Sequence, residues 1–244
     1  MVRVVTSGSG ERWARTHQHQ KQSLASRLRV FVKTAKDDEQ LARLRNQYSS
    51  KKPAIRRRLE EFRAVDPSEY FYELVYCLLT PQTSAESAGK VVEELQRLSF
   101  HCHPVDPEPI LRNRSTYIRF HKTKSKHLVK LKDDFPVILK AVSQHTDPSA
   151  RREWLVKNVM GIGYKEATHF LRNVGLNGGL AILDRHILRN LKRYGAIRSV
   201  PKSLSRRKYL SFERSFIRFS ERIGISLDEL DLLFWSMETG MIRK

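Results

Sequence analysis

Residues 155–187 read LVKNVMGIGYKEATHFLRNVGLNGGLAILDRHI, and this stretch carries the strongest signals for both fold and chemistry. An apolar helical pattern ends at a Gly-Ile-Gly turn over residues 161–163, and a second helical pattern begins at once. Lys165 falls in the first turn of that second helix, and Asp184 follows nineteen residues later at the end of an apolar run. The sequence therefore predicts a helical hairpin with an amine and a carboxylate close behind it.

The two glycines of the turn favour a phosphate-binding role. Gly161 and Gly163 let the backbone turn tightly and approach a phosphate closely, while the helix that follows presents unpaired N–H groups and a positive dipole end. Contacts of this kind position a nucleic-acid strand without reading its bases. The alternative is a structural turn between two helices with no ligand.

Charge supports a nucleic-acid partner. The chain has 46 Lys and Arg residues against 26 Asp and Glu, a formal net charge of +20, which attracts polyanions but names no activity. Cys77 and Cys102 are too few for a disulfide framework or a four-cysteine metal cluster, so a reducing, intracellular location with DNA is expected. No apolar run approaches the length of a membrane span, so no membrane partner is predicted.

The N-terminal part of the chain differs in composition from the rest. Residues 1–39 are basic and are predicted to form a flexible extension, whereas residues 40–244 are predicted to form the folded domain. The extension has the composition of a disordered arm that adds DNA affinity, and a transit peptide for an organelle has a similar composition.

Helix signals run through the folded domain, with no convincing strand pattern. Ser68 precedes an apolar helical ladder, Ser84 and Asp147 stand where helix caps are expected, and Ser226 with Glu229 forms a capping box. The last helix is predicted to stop near Gly240. The sequence predicts an all-α protein.

Lys165 and Asp184 suit chemistry at a sugar carbon. Burial beside the positive end of a helix would lower the pKa of Lys165, and a neutral amine is a nucleophile. The apolar approach to Asp184 indicates that its carboxylate faces a packed cleft, where it can stabilise a cationic sugar. Asp184 can also cap the helix that follows, and the two roles are compatible.

The motifs GIGYKEATHFLRNVG and AILDRHI resemble the helix-hairpin-helix and aspartate loop of the base-excision DNA glycosylase superfamily. They are most similar to the type-2 8-oxoguanine DNA glycosylase/AP lyases. The segments CLLTPQTSA (77–85), RFHKTKSKHL (119–128) and FWSMETGMIRK (234–244) agree with this resemblance, which covers roughly residues 40–244. It implies two helical subdomains that flank a DNA-binding cleft, no iron–sulfur cluster and no required cofactor.

The resemblance implies a role for individual residues. Lys165 matches the Schiff-base lysine and Asp184 the essential aspartate, while Lys244, Trp235 and Phe120 match positions that recognise the flipped base. The residues expected to contact DNA are Gln82, Gly161, Gly163, Tyr164, Arg185 and His186. The backbone carbonyls of Lys157, Val159 and Ile162 match a site where relatives can hold a monovalent cation.

Structural explanations compete with several of these roles. Trp235 and Phe120 can be core aromatics, and Gln82 can simply complete a turn. His101 and His103 are predicted to lie in a solvated loop. Lys122, Lys124 and Lys126 are predicted to form a solvated basic face.

The function expected is removal of 8-oxoguanine from double-stranded DNA by a monomeric enzyme, followed by cleavage at the abasic site through a lysine Schiff base. One rival is an iron–sulfur-free glycosylase of the same superfamily with another damaged base as substrate. The other is a noncatalytic helix-hairpin-helix module that only binds DNA.

Overall fold

The computed structural model describes residues 38–242 of the 244-residue chain. The chain divides into two compact units, residues 1–49 and 50–244. Of the first unit, residues 38–49 are described, and all of them are helical. The N-terminal extension expected over residues 1–39 thus lies outside the described residues except for its last two positions.

The second unit is built from helices joined by short turns. None of residues 50–242 forms a β-strand, so the all-α class expected from the sequence is confirmed. The helices are α1 (50–63), α2 (Tyr70–Leu79), α3 (Ala85–Arg97), α4 (Glu108–Leu111), α5 (His121–Gln144), α6 (Pro148–Asn158), α7 (Tyr164–Asn173), α8 (Arg185–Arg193), α9 (Arg206–Ile223) and α10 (Leu227–Thr239).

Side chains fix most helix ends as the sequence predicts. The side chains of Ser84 and Asp147 accept hydrogen bonds from backbone amides three residues on, at 3.0 and 2.6 Å, and so cap α3 and α6. Ser226 and Glu229 form the reciprocal capping box of α10, which ends at Gly240 in the left-handed conformation. These local predictions are confirmed.

The apolar ladder that follows Ser68 is confirmed as α2, and a 3₁₀ turn precedes it. Ser68 lies inside a short 3₁₀ turn, Pro67–Glu69, and α2 begins only at Tyr70. The side chain of Asp66 caps this turn by accepting the Ser68 backbone N–H at 2.9 Å, whereas α2 itself has no side-chain cap. A 3₁₀ turn at a helix start moves the cap upstream of the first apolar residue, which the apolar spacing alone could not show.

The helices of the second unit form two packed groups. Helix α2 contacts α3, α5 and α7, and α6 packs on both α5 and α7, around one apolar core. Helix α10 packs on α8 and α9. In this second group, Phe234 of α10 lies against Phe216 and Tyr194, with ring centroids 6.0 and 5.7 Å away.

Two buried ion pairs join the groups. Arg152 of α6 donates both guanidinium ends to Glu213 of α9, at 2.6 and 3.0 Å. Arg172 of α7 lies 3.1 Å from Asp231 of α10. All four side chains are largely buried, so each charge depends on its partner for compensation.

Within residues 38–242, none of the helices combines the length and the apolar character that a bilayer crossing requires.

The Arg152–Glu213 pair makes a stability prediction. Glu213→Ala leaves the buried guanidinium unpaired, so we expect a loss of about 3–5 kcal/mol in the free energy of unfolding, measured by urea denaturation. Glu94→Ala is the matched control, because Glu94 pairs with Arg97 at the exposed surface and its removal should change stability little. Equal midpoints for the two variants would contradict a structural role for the buried pair.

Candidate active site

The turn between α6 and α7 needs its first glycine. Gly161 has φ +83°, a conformation that L side chains rarely adopt, and a Cβ there would lie 2.2 Å from Nδ1 of His127. Gly163 is extended at φ −104° and stands at the N-cap of α7, where a Cβ would lie 3.1 Å from Oε2 of Glu166. The backbone of the hairpin therefore lies close to the side chains of His127 and Glu166, which leaves little room for a Cβ at either glycine.

Gly163 also leaves the start of α7 without a side-chain cap. The first N–H groups of the helix consequently keep their hydrogen-bonding capacity, and they stand at the positive end of the helix dipole. This arrangement suits an anionic group such as a DNA phosphate.

A cavity of about 210 Å³ lies between the two helical groups. The amine predicted at Lys165 and the carboxylate predicted at Asp184 both line it, as do residues that the sequence did not single out. The lining residues are Tyr76, Thr80, Ala85, Lys165, His169, Arg172, Ile182, Asp184, Arg185, His186, Asp231 and Trp235.

Lys165 lies in the first turn of α7 and is partly buried. Its side chain is 24% exposed, and its Nζ lies 3.7 Å from Oε1 of Glu166. One turn further along α7, burial lowers the pKa of His169 well below its ordinary value, and the charges of Lys165 and Arg172 add to the effect. His169 is therefore neutral, and its Nδ1 has no hydrogen-bond partner within the part of the chain that the structure describes.

Lys124 was expected on a solvated basic face, and that prediction is wrong. The residue is buried, and its Nζ donates to the carbonyls of Leu79 and Pro81 at 2.7 and 2.8 Å. Burial, followed by the charge of Lys165, lowers the pKa of Lys124 to about 8. Lys124 therefore ties the turn after α2 to α5.

Asp184 caps α8 while it faces the cavity. Its Oδ1 accepts the backbone N–H of Ile187 at 2.8 Å, which fixes the orientation of the carboxylate. Its Oδ2 accepts no hydrogen bond from the described residues 38–242, and so remains available to a ligand. Asp184 therefore caps α8 and faces the cavity at the same time.

Trp235 is partly buried and is an aromatic residue of the cavity lining. Its ring stands edge-on to His186, with centroids 5.1 Å apart. Arg185 and His186, which begin α8, line the same cavity.

Asp231 is the main lining residue that the sequence analysis missed. Burial raises its pKa to about 7 and outweighs the opposing effect of Arg172, while Asp184 and Asp228 raise the pKa further. A signal was present, because Asp231 precedes Trp235 by four residues and so shares its helix face. His169 and Arg172 follow Lys165 at helical spacing in the same way.

Several predicted residues lie away from the cavity lining. Phe120 is half exposed, has φ +60° and has the Arg119 guanidinium over its ring at 5.0 Å. Gln82 is exposed at φ +57° in the turn between α2 and α3. The hydroxyl of Tyr164 donates to Glu153 at 2.6 Å, which leaves its backbone amide as the group suited to phosphate. Lys244 lies outside the described residues.

The predicted monovalent-cation site uses backbone carbonyls at the end of α6. The carbonyl of Val159 accepts the N–H of Ile162 at 3.3 Å, which leaves one lone pair for a cation. The carbonyl end of a helix also favours positive charge. Lys157 and Ile162 complete the proposed set of carbonyls, which fits a cation chemically.

His101 departs from the solvated loop expected of it. Its ring stacks on Phe71, with centroids 4.1 Å apart, and stands edge-on to Phe135. Burial lowers the pKa of His101. The residue therefore contributes to packing.

A family model described as 8-oxoguanine DNA glycosylase matches residues 55–225. The chain belongs to the 8-oxoguanine DNA glycosylase family. It is 41% identical over 191 residues to the 8-oxoguanine DNA glycosylase/AP lyase of Korarchaeum cryptofilum, a match that covers 78% of this chain and 90% of the relative.

Other members of the 8-oxoguanine DNA glycosylase family match over nearly their whole length. The Fusobacterium nucleatum 8-oxoguanine DNA glycosylase/AP lyase is 36% identical, over 86% of this chain and all of its own. The crystal structure of the Thermotoga maritima 8-oxoguanine DNA glycosylase superposes with a TM-score of 0.75 at 33% identity, covering 85% of this chain and 100% of that one. The Methanocaldococcus jannaschii 8-oxoguanine glycosylase/lyase, solved with 15mer DNA containing 8-oxoguanine, gives 0.73 at 35% identity, covering 82% and 98%.

The raised pKa of Asp231 predicts a pH-dependent stability. Between the ordinary value of 3.8 and about 7 the folded protein binds a proton at Asp231 that the unfolded chain releases. The free energy of unfolding of the parent, relative to Asp231→Asn, should therefore fall as pH rises from about 4 to about 7 and level off above. Urea denaturation of both proteins across this range measures the difference, and a difference independent of pH would contradict the prediction.

Proposed function

We propose that this protein removes 8-oxoguanine from duplex DNA with Lys165 as the nucleophile, and that it then cleaves the strand through a Schiff base on that lysine. The observation that carries the proposal is that Lys165 and Asp184 line one cavity, which Trp235 also lines, beside a hairpin with uncapped amides. The names of its family relatives, glycosylase and AP lyase, support both activities.

The hairpin binds the DNA backbone, and the cavity binds the damaged nucleotide. The amides at the start of α7 hold a phosphate of the damaged strand, which positions the DNA without reading its sequence. The target nucleotide is extruded from the duplex into the cavity, because its sugar carbon cannot be reached inside the helix. Trp235 offers a ring face against which the base can stack.

The chemistry then proceeds in two stages. The amine of Lys165 attacks C1′ through its nitrogen lone pair, the glycosidic bond breaks, and the base leaves with the bonding electrons and takes up the proton that the amine nitrogen loses. The carboxylate of Asp184 stabilises the positive charge that develops on the sugar. The resulting aminal opens to a Schiff base, loss of a proton from C2′ expels the 3′ phosphate, and the strand is nicked.

No cofactor enters these steps, and the family description names none. The net charge of +20 draws the protein to DNA, so it acts wherever the cell keeps its DNA. A noncatalytic DNA-binding module would not need an amine and a carboxylate that line the same cavity. None of the relatives named above is described as acting on a different damaged base.

Borohydride reduction tests the nucleophile. On duplex DNA containing 8-oxoguanine, the parent should form a covalent protein–DNA adduct, because borohydride reduces the Schiff base to a stable amine. Lys165→Gln should form none. Lys192→Gln is the control of equal charge, since Lys192 is exposed on α8, and it should trap like the parent. Undiminished trapping by Lys165→Gln would mean that another amine is the nucleophile.

The distinction between 8-oxoguanine and other bases is proposed to depend on Lys244, a role that comes from the family resemblance. Deletion of Lys244 should lower excision of 8-oxoguanine by about tenfold or more, the loss expected when a specific contact to a flipped base is removed. Cleavage of a preformed abasic site should change little, because no base is present to recognise. Equal loss on both substrates would assign Lys244 a general role in folding or DNA binding instead.

A further inference from the structure

The segment that precedes Asp184 runs through the protein interior and has no regular secondary structure. Residues 180–183 lie between α7 and α8, belong to neither helix nor strand, and are all buried. Buried peptide groups need hydrogen-bond partners, and an extended segment cannot satisfy them internally. The partners must therefore come from outside the segment.

Helix α9 supplies three of them. The hydroxyl of Tyr209 donates to the carbonyl of Ala181 at 2.6 Å and accepts the N–H of Leu183 at 3.2 Å. One turn further along the helix, Oε1 of Glu213 accepts the N–H of Ala181 at 2.9 Å. Three backbone groups directly ahead of Asp184 are thus held by two side chains of one helix.

Those two side chains are themselves fixed. Arg152 holds both oxygens of Glu213, and its guanidinium lies 5.8 Å from the centroid of the Tyr209 ring. On the hairpin side, the ring of Tyr164 packs against Tyr209 with centroids 5.4 Å apart. Burial raises the pKa of Tyr209, so the hydroxyl keeps the proton that it donates to Ala181.

We propose that Tyr209 is a positioning residue for base excision: its hydroxyl fixes the backbone of residues 181–183 and thereby aims the Asp184 carboxylate into the cavity. The proposal rests on the catalytic role of Asp184 in the proposed function. It has a clear physical basis, since displacement of a catalytic group by about 1 Å can cost about 100-fold in rate. Tyr209 does not line the cavity, so it can act on the reacting atoms only through neighbouring groups, of which the loop before Asp184 takes two of its hydrogen bonds.

Tyr209→Phe tests the proposal, because it removes one oxygen and keeps the ring. The single-turnover rate of 8-oxoguanine excision should fall about tenfold or more, while the Kd for the same duplex stays within about twofold of the parent. The matched control is Tyr70→Phe. Tyr70 is also buried, and its hydroxyl donates to the carbonyl of Val174, 3.5 Å away and outside the loop. This control should excise at the parent rate.

Combining Tyr209→Phe with Asp184→Asn separates positioning from general loosening of the fold. If Tyr209 acts through the Asp184 carboxylate, its removal should cost little further rate once that carboxylate is gone. The same fold-loss in both backgrounds would overturn the proposal, as would a Tyr209→Phe variant that excises at the parent rate.

The single variant Asp184→Asn keeps this test apart from that of the proposed function. Excision by Asp184→Asn at the parent rate would refute the catalytic role of Asp184 and the positioning role with it. Slow excision by Asp184→Asn, together with an undiminished rate for Tyr209→Phe, would overturn the positioning role alone.

Discussion

The buried pair of Arg152 and Glu213 is the interaction on which the site most depends. It joins α6, the first helix of the hairpin, to α9, which holds the loop before Asp184. An ion pair of this kind adds little net stability compared with apolar packing, but it allows few alternative geometries. The pair therefore matters more for fixing the direction of the loop before Asp184 than for stabilising the fold.

Burial has the same effect on each perturbed group near the cavity. It makes His169 neutral, lowers the pKa of Lys124 to about 8 and raises the pKa of Asp231 to about 7. In each case burial favours the uncharged form of the side chain. A site that disfavours isolated charge also strengthens the interaction between a forming cation and a nearby carboxylate. That is the interaction that the proposed role of Asp184 requires.

Local sequence signals predicted the helices, and they pointed to Lys165 and Asp184, which the structure places on one cavity. Caps at Ser84, Asp147 and Ser226 depend on neighbours within one turn, so their sequence context sufficed. The burial of Lys124 was not predictable, because its carbonyl partners lie more than forty residues away in the chain. For the same reason the sequence did not indicate Tyr209, whose partners lie in a loop 26 to 28 residues earlier.

The two groups that the proposed chemistry uses come from different helical groups, so their separation depends on the junction between those groups. Lys165 belongs to α7 of the first group, whereas Asp184 begins α8 of the second. No hydrogen bond within either group can set the distance between the amine and the carboxylate. The Arg152–Glu213 and Arg172–Asp231 pairs span that junction, and α9 clamps the loop that crosses it. Because catalytic geometry tolerates only about 0.5 Å of error, the rigidity of this junction is a condition of the chemistry and not only of the fold.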